Sequence, residues 1–331
     1  MTPPGIQAGS KARPVATLLI LATVFPELFT GSTSLVAFLN PGLLLWLVLG
    51  YGLAVLLVRE LWVRLGGGLP ALFLLGLAYG IFNEGLLAKT VLLDQHLPIP
   101  QYDHYGVMLG ISFPWMAGIS VWHACASVIF PILLVHFRFP ASEAKPWIRA
   151  ATAIILGGLL LALACAAFSS ATNAGIKGTQ AQLEVLLGLM AALCALAFAT
   201  SGTVGRCPPG SFLKPLLLGF SVLAPFRLLE FLAGSKWPLV VFYPALGAFV
   251  IFYGKVLRRH HWIEMPGILL FGVGWYLQNA VQAWLVIALS GNPALALCTM
   301  VVDILFLLFL FRGLRRRGLA LEPAAGSQEN Q

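Results

Sequence analysis

The chain has 331 residues, 59% of them hydrophobic and only 10% charged, with a mean hydropathy of +0.90. Soluble domains carry about 25% charged residues, so this composition excludes a self-contained soluble fold and predicts an all-α, polytopic integral membrane protein. The formal net charge of +8 would suit a nucleic-acid partner, but the placement of the basic residues excludes that reading, as the predicted topology makes plain.

Residues 1–14 read as a polar tail carrying Lys11 and Arg13. The apolar run that follows contains Pro26 and Glu27 and has no small-residue cleavage site, so it is expected to stay as an uncleaved first span. Residues 15–312 read as one multi-span membrane domain of about ten helices, each near the ~20 residues that a ~30 Å hydrocarbon core requires. The expected spans are 15–38, 42–58, 69–93, 108–136, 150–171, 181–201, 213–233, 237–254, 266–290 and 293–312. Residues 313–331 read as a basic and then disordered tail.

With the N-terminus in the cytoplasm, every inside segment carries Lys or Arg, including Arg59, Arg64, Arg138, Arg206, Arg258 and Arg315. Only Lys89, Lys177, Arg227 and Lys236 fall on the outside. This is the positive-inside pattern. It places both termini in the cytoplasm of a cell (inner) membrane and makes the net charge a topology signal rather than a nucleic-acid footprint. Ten spans also divide into two halves of five, an arrangement compatible with inverted repeats.

Polar residues inside the spans then mark the candidate site. In the first, Thr23, Glu27, Thr30 and Ser34 share a helix face, and Thr30–Thr33 is a point where the helix is expected to unwind. In the third, Gly76 and Gly80 form a small-residue stripe that continues to Glu84, so Glu84 is expected to face a neighbouring helix beside Asn83. Lys89, at the outer end of that span, is expected to snorkel. The fourth span places Ser120, His123 and Ser127 on one face, and Pro131 deprives the Ser127 carbonyl of its helical donor. Trp115 and Trp122 read as packing or interfacial aromatics. Arg227 and Glu230 are spaced to pair with each other. The ninth span presents Gln278, Asn279 and Gln282 on one polar face, and the tenth carries Asp303 near mid-depth.

Carboxylates at bilayer depth cost at least ~2.5–3.5 kcal/mol and are functional candidates by default. Glu27, Glu84 and His123 are expected to converge on a polar pocket open to the external side and capped by the loop 94–106. The candidate binding residues are therefore Glu27, Asn83, Glu84, His123, Ser127, Gln278, Asn279, Gln282 and Asp303. No Cys/His cluster suggests a metal site, and no cofactor is indicated.

Asn83-Glu84 on one span with His123 on the next resembles the CAAX-protease and bacteriocin-processing intramembrane enzymes, which carry Glu-Glu-xxx-Arg and Phe-xxx-His. Glu84 and His123 match. Asn83 stands at the first Glu position, Ala88 at the Arg and Ile119 at the Phe. The resemblance implies Glu84 as a general base acting on water and His123 as its positioning or oxyanion partner. The residues themselves favour a transporter or a protein binding a small molecule, ion or lipid, with an intramembrane hydrolase or an accessory subunit as the alternatives. The lipid bilayer is the one partner the composition requires.

Overall fold

A computed structural model describes residues 11–28, 32–92, 100–143, 145–171, 176–200, 202–207, 209–289 and 293–319. The chain is all-α. Its long helices are α1 (Ala12–Glu27), α2 (Pro41–Leu65), α3 (Leu69–Leu87), α4 (Phe113–Arg138), α5 (Ala150–Ser169), α6 (Gln180–Phe198), α7 (Leu213–Gly234), α8 (Leu239–Arg259), α9 (Gly267–Leu289) and α10 (Pro293–Leu319). Seven of them, α2 to α8, are long and apolar enough to cross a membrane. The other three stand where the first, ninth and tenth spans were expected.

Local sequence sets the helix ends. The Asn40 carboxamide oxygen accepts from the Gly42 and Leu43 N–H groups, with Pro41 at the first helical position of α2. Gly66, at φ 58°, closes α2 in the left-handed region. Thr179 and Gln182 form a capping box at the start of α6.

The first expected span is corrected. Its helix ends at Glu27 rather than at 38, the chain turns through 32–34, and a single helical turn follows at Leu35–Phe38. Glu27 therefore sits at a helix end and not in the middle of a continuous span. Pro26 stands at that end. The Thr33 N–H bonds the Glu27 carbonyl at 3.0 Å across the turn.

Helix α3 is at the centre and packs on α4 and α6, while α7 and α10 flank α9. Gly219 and Gly274 face the partner backbone so closely that α7 and α9 could not accept a side chain at either position. The outward faces of α5 and α8 are apolar. Ile154 is 74% exposed and Val240 is 77% exposed, the pattern of surfaces solvated by lipid. Two short pairings complete the structure. Strand β1 (Val107–Met108) runs antiparallel to β2 (Ile111–Ser112), and β3 (Arg206–Cys207) runs parallel to β4 (Met265–Pro266).

At one end of the bundle a buried ionic cluster fixes the α4–α5 connection. The Glu60 carboxylate takes Arg59 and Arg64, each at 2.6 Å, and the Trp147 N–H at 2.9 Å. Arg59 donates to His136 Nε2 at 3.0 Å and lies 3.6 Å over the Trp147 ring. Arg59 is thus not a loop charge. It is fully buried, and its charge is balanced inside the protein.

Candidate functional site

Three helices that meet near the centre each contain one π-helical turn: α2 at Val48–Leu53, α3 at Phe82–Leu87 and α4 at Ala124–Ile129. Such turns displace side chains and free backbone groups, and they concentrate at functional sites. The cause in α4 is local. Pro131 has no N–H to give to the turn before it, and the Tyr276 hydroxyl donates instead to the Ala126 carbonyl. In α2, the Tyr79 hydroxyl donates to the Gly50 carbonyl at 3.2 Å.

The glycine stripe works as expected from the sequence. A Cβ on Gly80 would stand 2.5 Å from the Ser120 Cα, and one on Gly76 would stand 2.6 Å from the Ala124 Cα. The backbones of α3 and α4 therefore touch, and Glu84, one turn further on, reaches across to α4. Its Oε1 lies 2.8 Å from His123 Nε2, and His123 Nδ1 lies 2.8 Å from Ser127 Oγ. The second oxygen of Glu84 accepts from the Thr90 hydroxyl, whose oxygen also receives the Trp115 indole N–H at 3.1 Å. Trp115 thus supports the site through Thr90, and Trp122 packs edge-on to the His123 ring with centroids 4.9 Å apart.

Glu27 joins the same cluster from α1. It accepts from the Thr33 and Tyr51 hydroxyls and lies within electrostatic reach of both His123 and Glu84. The Tyr51 ring is 6.0 Å and the Tyr79 ring 5.7 Å from the His123 ring. Asn83 donates to the Tyr79 hydroxyl at 3.3 Å and so braces a wall of the cluster rather than facing Glu84. His123 is 1% exposed and Glu84 is 8% exposed, so the cluster is an enclosed polar core.

The remaining candidates lie elsewhere. Gln278, Asn279 and Gln282 line a separate cavity of ≈ 180 Å³ together with Tyr102, Trp115 and Trp122, and neither Glu84 nor His123 lines it. The two tryptophans form the partition. Arg227 pairs with Glu230 and also donates to Gln282, both at 2.6 Å. Asp303 is buried between α9 and α10 and accepts from the Trp284 indole at 2.8 Å. The candidate residues therefore fall into three distinct polar sites, because α9 turns its amides towards α4 and α7 while α10 packs behind α9.

Lys89 does not snorkel. It is fully buried, and its ammonium donates to the carbonyls of Ala167, Ser170 and Ile176 at 2.7–3.1 Å, capping the C-terminal end of α5. Of the external loop, Asp94 and His96 fall outside the described residues. Its 100–106 part folds onto α8, where the Tyr105 hydroxyl bonds the Trp237 carbonyl at 2.7 Å and both Tyr102 and Tyr105 pack on Phe242. Burial, with the Glu230 carboxylate nearby, pushes the Tyr102 phenol up from its ordinary value, so it remains a hydrogen-bond donor.

Sequence reading missed Thr33, Tyr51, Tyr79 and Thr90, the hydroxyls that hold the two carboxyls and the imidazole. Their only signal was polarity inside or beside apolar runs. Glu60 was missed as well, although it stands next to Arg59 in the sequence.

The sequence profile of a family described as "Uncharacterized membrane protein family" matches residues 16–314. No curated protein and no solved structure matches the chain. The family match gives no support to the CAAX-protease resemblance.

Proposed function

Given that the chain belongs to this membrane protein family, we propose that it is a proton-coupled transporter of a small solute, with Glu84 and His123 as the proton-carrying pair. The observation that carries this reading is that both nitrogens of a buried imidazole are engaged, one by a carboxylate and one by a hydroxyl. A neutral His123 with its proton on Nε2 donates to Glu84 and accepts at Nδ1 from the Ser127 hydroxyl. On protonation at Nδ1 the same hydroxyl rotates and becomes the acceptor. Neither state loses a hydrogen bond, so proton uptake avoids the cost of an unpaired buried polar group. Glu27, held by Tyr51 and Thr33, supplies a second carboxyl within electrostatic reach for the transferred proton or a small cation. In this reading the enclosed polar core gains access to the external side during the transport cycle, and the basic ends of the chain lie in the cytoplasm.

Ser127 is an orienting group here and not a nucleophile. It is fully buried, and its hydroxyl is engaged by His123 Nδ1 at 2.8 Å. The test is proton flux into liposomes carrying the purified chain, driven by a potassium diffusion potential and read with a trapped pH dye. Flux falls at least about tenfold in Glu84→Gln and in His123→Ala, as expected for groups that carry the proton. Equal flux in wild type and Glu84→Gln overturns the proposal.

A second reading is favoured by the direct 2.8 Å contact of Glu84 with His123: an intramembrane hydrolase in which the two activate a water. It predicts cleavage of a peptide or ester substrate in bilayers that is lost in both variants, with no proton flux in the wild type.

A further inference from the structure

A second cavity, of ≈ 260 Å³, lies among α3, α4, α7, α8 and α9, and its walls are almost wholly apolar, with Val121, Leu133, Leu246, Ile268 and Trp275 among them. It stands end to end with the cavity lined by Gln278, and both have Phe226 and Trp275 in their walls. The order along the helices is consistent. On α4 the polar cavity takes residues 115–122 and the apolar one 121–133, and on α9 they take 275–282 and 268–275. At 1.5 Å per residue the apolar part runs roughly 18 Å along α4, close to one leaflet of a ~30 Å hydrocarbon core.

The polar end carries hydrogen-bonding groups. Gln278 and Tyr102 are each 3% exposed and both line this cavity. Their polar atoms are not among the sealed, unpaired ones of the described residues, so they open on the cavity, where an occupant can pair with them. The charge balance limits what that occupant is. Among the described residues, Glu230 supplies the one charged group in the lining, and Arg227 pairs with it. Among them no further cation lines the cavity to receive a phosphate or carboxylate.

We propose that these two adjoining cavities, with the Phe226 and Trp275 rings in the wall between them, form a binding site for a single-chain amphiphile with an uncharged, hydroxyl-bearing head. The chain fills the apolar slot and the head hydrogen-bonds Gln278 and Tyr102. The inference stands on the cavities alone and does not depend on what Glu84 and His123 carry.

The test uses the purified full chain in nanodiscs and a monoacylglycerol brominated on its acyl chain, which quenches the fluorescence of Trp275 in the wall of the slot. Saturable quenching is expected. Affinity falls about tenfold in Gln278→Leu, which removes the hydrogen bonds to the head. It also falls in Gly254→Leu, which fills the slot from a position with nothing within 4 Å of a new Cβ. Circular dichroism and melting of both variants are matched to wild type, so that misfolding is not read as lost binding. Quenching that never saturates, or that neither variant weakens, marks only annular lipid and overturns the proposal. Tighter binding of the matching brominated lysophosphatidic acid overturns the assignment of an uncharged head.

Discussion

Replacing Gly80 with alanine adds a single methyl group, and its consequence is calculable. The new Cβ would lie 2.5 Å from the Ser120 Cα and 2.9 Å from its Cβ, whereas carbon atoms pack at ≈ 3.5–4.0 Å. The obstacle is backbone, not a flexible side-chain tip, so α3 and α4 must separate by roughly 1 Å or more. Overpacking of this kind costs about 1–3 kcal/mol. The functional effect is sharper than the stability effect. Glu84 is one turn from Gly80 and His123 is close to Ser120, so the 2.8 Å bond between them stretches beyond the ~3.2 Å limit of a useful hydrogen bond. Thermal unfolding in detergent measures the first effect. The second is read from ¹⁵N-histidine NMR, with the His123 signals assigned by His123→Gln. We expect a lowered midpoint together with His123 resonances displaced towards those of Glu84→Gln. Gly188→Ala is the control, since nothing lies within 4 Å of its added Cβ. Unchanged melting and unchanged His123 signals in Gly80→Ala would refute the claim that close helix contact sets the geometry of the pair.

Glu60→Ala removes the carboxylate that pairs with the buried Arg59 charge. It should cost about 3–5 kcal/mol, measured by chemical denaturation, with faster proteolysis of the 139–149 connection. Lys89→Met removes three hydrogen bonds from one fully buried ammonium and should destabilise by on the order of 3 kcal/mol, seen as a lower melting point and as new cleavage after Phe168. Asp303→Asn keeps an acceptor for the Trp284 indole, so stability should change by less than about 1 kcal/mol and proton flux should match wild type. Collapse of flux in Asp303→Asn would move that residue into the functional site.

Much of the candidate site was legible because its members are close in sequence or follow one helix face. Ser127 is four residues from His123, and the two side chains meet on their own helix. The stripe Gly76, Gly80, Glu84 required a close neighbour, since small residues line the points where helices touch. The helix end at Glu27 followed from Pro26, although it comes earlier than the apolar run suggested, and Thr30 lies outside the described residues. Which further polar faces join the site is not legible from the helix pattern. Gln278 and Asp303 face different neighbours from His123, and Lys89 turns inwards to carbonyls some eighty residues further along the chain.

The amino-acid sequence by itself determined the all-α membrane class, the places where helices are expected and the residues too polar to face lipid, because burial in hydrocarbon forces long apolar segments with internally paired backbones. It also determined that Glu84 meets a helix. Only the tertiary structure decided which helix, that Thr90, Thr33 and Tyr51 hold the carboxyls, and that the amides of α9 belong to a separate cavity. The physical reason is that helices apolar on nearly every side carry little directional pattern. Their rotation and their neighbours are set by side-chain packing between distant segments, and that information is not local to any stretch of the chain.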